Sequence, residues 1–341
     1  MKTLILSVSM IAATCSTTAI SQSIEPISAV AEGTAVDIPV EVQKAINAAS
    51  SVTDILQIKG VEKVADQRLA VDELIFQPNS AIEFVGNHPW VLLYAKRVRI
   101  SDPKSLINIR RSQMLPSQNG NAGSLGSAGA AGGIEGRHGT AGQEGGLGGS
   151  GSSGSSAPVP DLYIVAGRLE ATGSTEPLST AKIAIDFRGL PGGNGGAGGV
   201  GGAGGQGGGG KKGKKGNFSE CKAGAGNGGN GGRGGKGGAG GDGAIGGNGG
   251  NVFLVSTAAG ADLLSAGDIL TAGGTGGDGG LGGTGGPGGG GGSRGAQPGA
   301  CSGASDGSGG GQGASGSKGA SGASGTRGVI KAIRVTTLPG I

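Results

Sequence analysis

The chain has 341 residues, of which 85 are Gly and only eight are aromatic (one Trp, two Tyr, five Phe), with a formal charge of +4. Only Gly33, Gly60 and Gly86 precede Gly120, so the rest of the chain has too little side chain to build an ordinary aliphatic core or to wall a large apolar substrate pocket. The small positive charge does not by itself imply a nucleic-acid partner.

The N-terminus reads as an export signal. Lys2 is followed by a short apolar run, Leu4 to Thr14, and by the small-x-small site Ala19-Ile20-Ser21, which predicts a signal peptide over 1–21. Cys15 offers a lipoprotein alternative, but Thr14 precedes it where such sites prefer Gly, Ala or Ser. The apolar run is too short to span a membrane, and the expectation is a secreted, extracellular, periplasmic or cell-surface protein without a transmembrane segment.

Residues 22–36 are small and polar, a flexible leader. From Asp37 to about Ile58, Val42, Ile46, Ala49 and Leu56 recur near helical spacing and predict an amphipathic helix with a break at Ser50-Ser51. The period then changes to two: Ile82-x-Phe84, Val91-x-Leu93-x-Ala95, Val98-x-Ile100 and Ile107-x-Ile109. Short strands at such intervals suit either a sandwich or a right-handed β-helix with three faces per rung. Similar pieces return after each Gly-rich stretch, at 162–165, 182–187, 252–255 and 328–335. Their return favours a mainly β fold, a short-strand β-solenoid that tolerates insertions at its corners, with the helix capping its first rung. The expected organisation is a capping helix and solenoid base over 37–118, strands over 158–188 and 251–272, and a terminal strand over 329–341. A Gly-rich insertion covers 119–157, and long Gly-rich hairpins cover 189–250 and 273–328.

Within these stretches Gly recurs at every third position, as in the unbroken column from Gly189 to Gly216. A collagen triple helix needs one such column but also abundant Pro. Here 189–250 contains only Pro191, and most triplets of 192–207 and 228–249 are Gly-Gly-X. Two Gly ridges on a helix with three residues per turn let backbones approach on two sides, which predicts a bundle of polyglycine-II helices. Segments 120–154 and 307–328 carry mostly one Gly column and are expected at the bundle's edges, with the Gly-Gly-X arms at its centre. An intramolecular bundle favours a monomer; the alternative is a trimeric collagen-like stalk.

Signal cleavage leaves two cysteines, Cys221 and Cys301, each at a hairpin tip. In an oxidising compartment they are expected to form one disulfide that staples the tips; the alternative is two unpaired thiols. Beside Cys221 lie Lys211, Lys212, Lys214, Lys215 and Phe218, with Arg233 and Lys236 on the return arm. This concentration of charge makes them the candidate contacts for glycans or anionic surface polymers, against the plainer reading of a solvated turn.

Catalytic and metal chemistry find little support. His88 and His138 have no Cys, Asp or Glu at ligand spacing. Asp72-Glu73 and Asp186 are read as the only acids within strands, with nothing to bring them together as a catalytic pair. Asp242 and Asp278 complete half of a calcium-binding nonapeptide pattern, which any Gly-Gly-Asp triplet does by chance. The expectation is a non-enzymatic protein with no cofactor and no metal.

The Gly-Gly-X arms over about 189–328 resemble the polyglycine-II bundles of phage tail-tip adhesins and of the snow flea antifreeze protein. The signal peptide and strand pieces look more like secreted bacterial Gly-rich, collagen-like proteins. The adhesin resemblance implies host recognition at the bundle tip, the positions held here by 211–221 and 293–306. The antifreeze resemblance implies ice binding, which needs a flat array of Thr and Ala. The outward residues of the central arms instead mix Asn, Arg, Lys, Asp, Ile, Gln and Thr. The sequence therefore reads first as a structural or adhesive surface protein.

Overall fold

The structure is a computed structural model that describes residues 30–112, 117–135, 138–146, 148–149, 151–153, 155–173, 178–217, 220–299 and 301–338. The expected signal peptide and most of the leader lie outside the described residues, as does Phe218.

Two large parallel sheets form the base. In chain order the elements are β1 (Ala31–Glu32), α1 (Val40–Ala49), β2 (Ile55–Ile58), β3 (Val61–Val64), β4 (Arg68–Phe76), β5 (Ala81–Phe84), β6 (Trp90–Ile100) and β7 (Leu106–Arg111). The short pieces β8 (Ile134–Glu135) and β9 (His138–Gly139) precede β10 (Asp161–Ala171) and β11 (Lys182–Asp186). After β12 (Lys214–Lys215) and β13 (Cys221–Ala223) come β14 (Val252–Ser256), α2 (Ala258–Ser265), β15 (Asp268–Leu270) and β16 (Ile330–Arg334). The seven-stranded sheet has the order β1-β16-β14-β10-β6-β4-β2, and the five-stranded sheet β15-β11-β7-β5-β3. Ile58, Leu74, Leu93, Ile164 and Leu254 of the first meet Ile82, Ile107 and Ile185 of the second, with Phe187 just past β11, in one apolar layer.

This corrects the expected β-solenoid. The chain builds an α/β-type arrangement of two facing parallel sheets with two α-helices and no closed three-faced coil. The reason is local. Between β3 and β4 only residues 65–67 intervene, and between β5 and β6 only 85–89, too short to supply a third strand per turn. Alternating apolar residues fit a sheet with one buried face in either architecture, so periodicity could not separate the two.

The helix is corrected as well. It spans Val40–Ala49, and Leu56, expected on its apolar stripe, belongs to β2 instead. Rather than capping an edge, α1 lies on the outer face of the seven-stranded sheet. There Val42, Ala45, Ile46 and Ala49 pack with Leu92, Tyr94, Tyr163, Val165 and Phe253. Burial on both faces explains why β6 reads as a near-continuous apolar run at Val91–Ala95.

The Gly-rich stretches form six extended arms: arm 1 (118–133), arm 2 (the described residues of 139–155), arm 3 (189–213), arm 4 (224–250), arm 5 (273–296) and arm 6 (305–328). Their backbone bonds recur every three residues and always run to another arm, at 2.6–3.0 Å, which is the pattern of packed polyglycine-II helices. Each arm is antiparallel to the next, as in Gly196 N–H to the Ser152 carbonyl and Gly241 N–H to that of Gly196. It is parallel to the arm after that, as in Gly123 N–H to Ala197 and Gly198 N–H to Leu281. These two relations define a slab of two layers, with arms 1, 3 and 5 in one and arms 2, 4 and 6 in the other.

The slab continues the base. Arms 1, 3 and 5 follow β7, β11 and β15, adjacent in the five-stranded sheet, while arms 2, 4 and 6 lead into β10, β14 and β16, adjacent in the seven-stranded one. Pairing passes without a break from strand to arm, through Phe187 N–H to Leu270 and Gly189 N–H to Ala272.

Gly columns follow the number of neighbours. Arms 3 and 4 each bond to four other arms, arms 2 and 5 to three, and arms 1 and 6 to two. The two-neighbour arms tolerate Asn121, Ser124 and Ser127, or Gln312, Ser315 and Lys318, where the central arms carry a second Gly column. The expected placement of edges and centre is therefore observed. The Gly columns that a collagen triple helix would turn to its axis are occupied here by arms of the same chain.

A Cβ on Gly199 would fall on the Ser124 carbonyl, whereas one on Gly290 would meet nothing within 4 Å. Gly199→Ala is expected to cost about 3 kcal/mol or more, lowering Tm by roughly 4 °C or more. Gly290→Ala should leave Tm unchanged within roughly 2 °C; differential scanning calorimetry of the two variants checks this.

Candidate functional site

All three hairpin tips lie at the end of the slab opposite the base. At about 3.1 Å per residue, the path from Gly189 to Lys211 spans roughly 70 Å. The middle tip is a small antiparallel ladder in which Lys214 faces Ala223 and Lys215 faces Cys221. Gly216 N–H closes it onto the Glu220 carbonyl at 2.7 Å. The third tip folds against it: Gly213 N–H donates to Ala296 at 3.0 Å, and Gly213 leaves no room for a Cβ beside the Pro298 ring. Gly299 turns the chain with φ of 55°, a left-handed conformation that favours Gly, beneath the Lys215 side chain.

Cys221 and Cys301 form a disulfide across these two tips, with Cα atoms 4.8 Å apart and 80 residues between them in sequence. Cys301 is buried. The bond therefore ties arms 3 and 4 to arms 5 and 6 where they are farthest from the apolar base.

Lys211, Lys212, Lys214 and Lys215 are all exposed on this tip. The structure adds two cations that the sequence analysis missed, exposed Lys222 on β13 and exposed Arg294 at the head of arm 5. Arg294 is far from the lysines in sequence, but Gly295 packs on the Lys211 carbonyl. Two carboxylates accompany these six cations: Glu220, and Asp306, which accepts the Arg294 backbone N–H at 2.7 Å. None of the six cations has an ion-pair partner among the described residues.

Arg233 and Lys236 do not join them. Arg233 follows Gly232, which bonds to Gly205, and Lys236 follows Gly235, which bonds to Gly202. They stand roughly 20 and 30 Å down the slab from Lys211.

The two broad faces of the slab differ in charge. In the layer of arms 1, 3 and 5 the outward positions include Ala122, Leu125, Ala128, Ala197, Val200, Ala203, Leu281, Thr284 and Pro287. Between the base and the tip, Asp278 is the one charged residue among the outward positions of this layer. The opposite layer carries Glu144, Arg233, Lys236 and Asp242 outward. The mixture seen along the sequence is thus sorted by layer.

Several outward N–H groups, which no arm can reach, are met by side chains of the neighbouring arm. Asn194 Oδ1 accepts from Asp278 N–H at 2.8 Å, Asn230 Oδ1 from Ser308 at 3.0 Å, and Asn248 Oδ1 from Thr326 at 2.9 Å. Asp242 is used in the same way, accepting from Ala320 at 2.7 Å. His138 Nδ1 accepts from Asn227 N–H at 3.0 Å, and His88 Nε2 bonds to the Ala65 carbonyl at 2.9 Å. The Asn-Gly-Gly triplets were the available signal for this role.

Acidic residues of the base engage cations. Asp72 lies 3.1 Å from Lys96 and 3.2 Å from Arg97, and their hydrogen bonds, Lys96 foremost, hold its carboxyl below the usual range. Arg99 Nε lies 3.1 Å from Glu73 and 3.8 Å from Glu170. Glu83, Asp161, Glu170 and Asp268 also fall within strands, which corrects the shorter set read from the sequence. Asp186 lies on the other sheet, 2.6 Å from Arg188. Among the described residues no group of three or more His, Cys, Asp or Glu could hold a metal ion. No helix among them is long and apolar enough to cross a membrane.

No family model and no curated protein matches this chain. Among solved structures it is similar to a springtail antifreeze protein from Granisotoma rainieri, a bundle of nine polyproline type II helices whose crystal waters match the ice lattice. The identity is 25%, over 56% of this chain and 93% of that one, with a TM-score of 0.06.

Removing the disulfide with Cys221→Ser and Cys301→Ser is expected to cost about 2–4 kcal/mol. Hydrogen exchange should accelerate first at 211–223 and 294–305 and leave the sheets protected; uniform loss of protection would contradict the tip-local role.

Proposed function

We propose that this protein is an exported, non-enzymatic display scaffold whose basic tip adheres to anionic cell-surface polymers, such as acidic glycans or phosphorylated surface saccharides. The observation that carries the reading is the tip itself. Six exposed cations from two hairpins are held together by one disulfide, with two carboxylates among them and no ion pairs among the described residues. Clustered charge of one sign at an exposed end attracts polyanions, with a strength that falls as salt rises. The disulfide supports export, because such bonds persist in oxidising compartments. A stiff arm of roughly 70 Å would hold the contact clear of the base.

Binding to immobilised heparin and to lipopolysaccharide is expected to fall at least tenfold when Lys211, Lys212, Lys214 and Lys215 are replaced by Ala. It should also fall on raising NaCl from 50 to 500 mM, which shortens the screening length from about 14 to about 4 Å. Unchanged binding in the quadruple variant would remove the tip from this role.

A second reading, ice binding, is favoured by one observation: the layer of arms 1, 3 and 5 presents mostly Ala, Val, Leu and Thr, with Asn194, Gln206 and Pro287 among them and a single charge, Asp278, between the base and the tip. On that reading purified protein shows thermal hysteresis, Val200→Lys abolishes it, and Lys236→Ala on the opposite layer does not. Absence of hysteresis in the unmodified protein would end it.

A further inference from the structure

At the other end of the molecule, α1, the β3–β4 junction and the start of β6 enclose a groove of about 660 Å³ lined by Glu41, Lys44, Ala45, Asp66, Gln67, Arg68 and Trp90. Trp90 is the only Trp in the chain. It is half-buried, meeting Tyr163 edge-to-face at 6.4 Å and 88°, and it contributes its remaining surface to the groove wall. Five of the other six lining residues are polar. None of these five side chains is taken up by a hydrogen bond or ion pair with another described residue, although Asp72 and Glu73, farther along β4, both engage cations.

From this geometry we propose that the groove is a binding site for a neutral oligosaccharide. An indole offers a broad apolar surface for the C–H face of a pyranose and keeps its N–H as a polar handle. Carboxylate, carboxamide and guanidinium groups present paired donors or acceptors that match vicinal hydroxyls. Glu41 and Asp66 offset Lys44 and Arg68, so the groove carries no net formal charge, unlike the cationic tip. That balance selects a neutral sugar over a polyanion. The volume lies within the range of ligand pockets, about 300–1,000 Å³.

The frame is rigid. Leu92 N–H donates to the Gln67 carbonyl at 3.0 Å, and Arg68 pairs with Leu92 in the β4–β6 ladder. Glu41 and Lys44 lie one turn apart on α1, whose other face is fixed in the core by Val42, Ala45 and Ile46. The site is independent of the tip reading and lies beyond it: the two together would let the molecule join a neutral polysaccharide at its base to an anionic polymer at its tip.

The single Trp is a built-in reporter. Emission of the full processed protein is titrated with cellohexaose, chitohexaose and laminarihexaose, and separately with heparin, each to about 10 mM saccharide units, corresponding to affinities near the weakest end of specific binding. At least one neutral hexaose is expected to give a saturable spectral shift. Glu41→Gln and Arg68→Ala should each weaken it tenfold or more with unchanged far-UV circular dichroism, because both side chains are exposed. Isothermal calorimetry of Trp90→Phe, which keeps an aromatic ring against Tyr163, should show the same loss. The Lys211, Lys212, Lys214 and Lys215 to Ala variant should bind the hexaose unchanged. No saturable shift with any neutral hexaose overturns the proposal. So does a shift with heparin alone, or one abolished by the tip variant but not by Arg68→Ala.

Discussion

Backbone N–H groups reaching carbonyls of neighbouring arms are the interaction on which this structure depends, and they require that nothing larger than hydrogen stand on the approaching side. In arms 3 and 4, two of every three residues face other arms, and at Gly199 or Gly241 a Cβ would collide with backbone. Each bond contributes only about 1 kcal/mol net, and ordering Gly costs more conformational entropy than ordering any other residue. Isolated arms would therefore not hold. The slab persists because many arms bond at once and because both ends are fixed, by the apolar sandwich below and by the Cys221–Cys301 bond above.

The sandwich also sets the geometry of the arms. Neighbouring strands lie about 4.8 Å apart, so β7, β11 and β15 launch arms 1, 3 and 5 side by side and parallel, while β10, β14 and β16 receive arms 2, 4 and 6. Sheet pairing and slab pairing form one continuous lattice. Growth of that lattice is halted at its margins. Arm 6 carries Gln312, Ser315, Lys318 and Arg327 where arm 4 has its second Gly column, and such side chains obstruct another backbone just as charged residues guard the edge of a sheet.

This construction separates places where chemistry can occur. The interior of the slab is backbone, and the broad surfaces of its central arms differ chiefly in the residue that follows each Gly pair. Side-chain clusters form where the lattice ends, at the tip and at the base. At the tip, Lys214, Lys215, Lys222 and Arg294 share one disulfide-linked unit. At the base, α1 overhangs the sheet and leaves the half-buried Trp90 beside polar side chains that pair with no other described residue. The same sheet face carries the ladder of Glu73, Arg97, Arg99 and Glu170, whose charges largely satisfy one another.

Much of the architecture was legible in the residues themselves. Period-three Gly specified the arms and the number of Gly columns ranked their neighbours, because each is a steric constraint that holds whatever the surroundings; the Cys221–Cys301 pairing was an expectation that depended on export, with two unpaired thiols as the alternative. The strand pieces were legible as strands but not as an assembly: alternation marks one buried face and is silent on how many faces a turn contains, so the solenoid reading gave way to two facing sheets once 65–67 and 85–89 proved to hold no strand. The division of outward residues between an almost uncharged layer and a charged one depended on the order of the arms. The approach of Arg294 to Lys211, and of Arg68 and Glu41 to Trp90, likewise came from tertiary pairing. Local sterics can be read along a single chain, but which residues share a surface is decided by register between segments, and register is settled only when all the backbone groups find partners together.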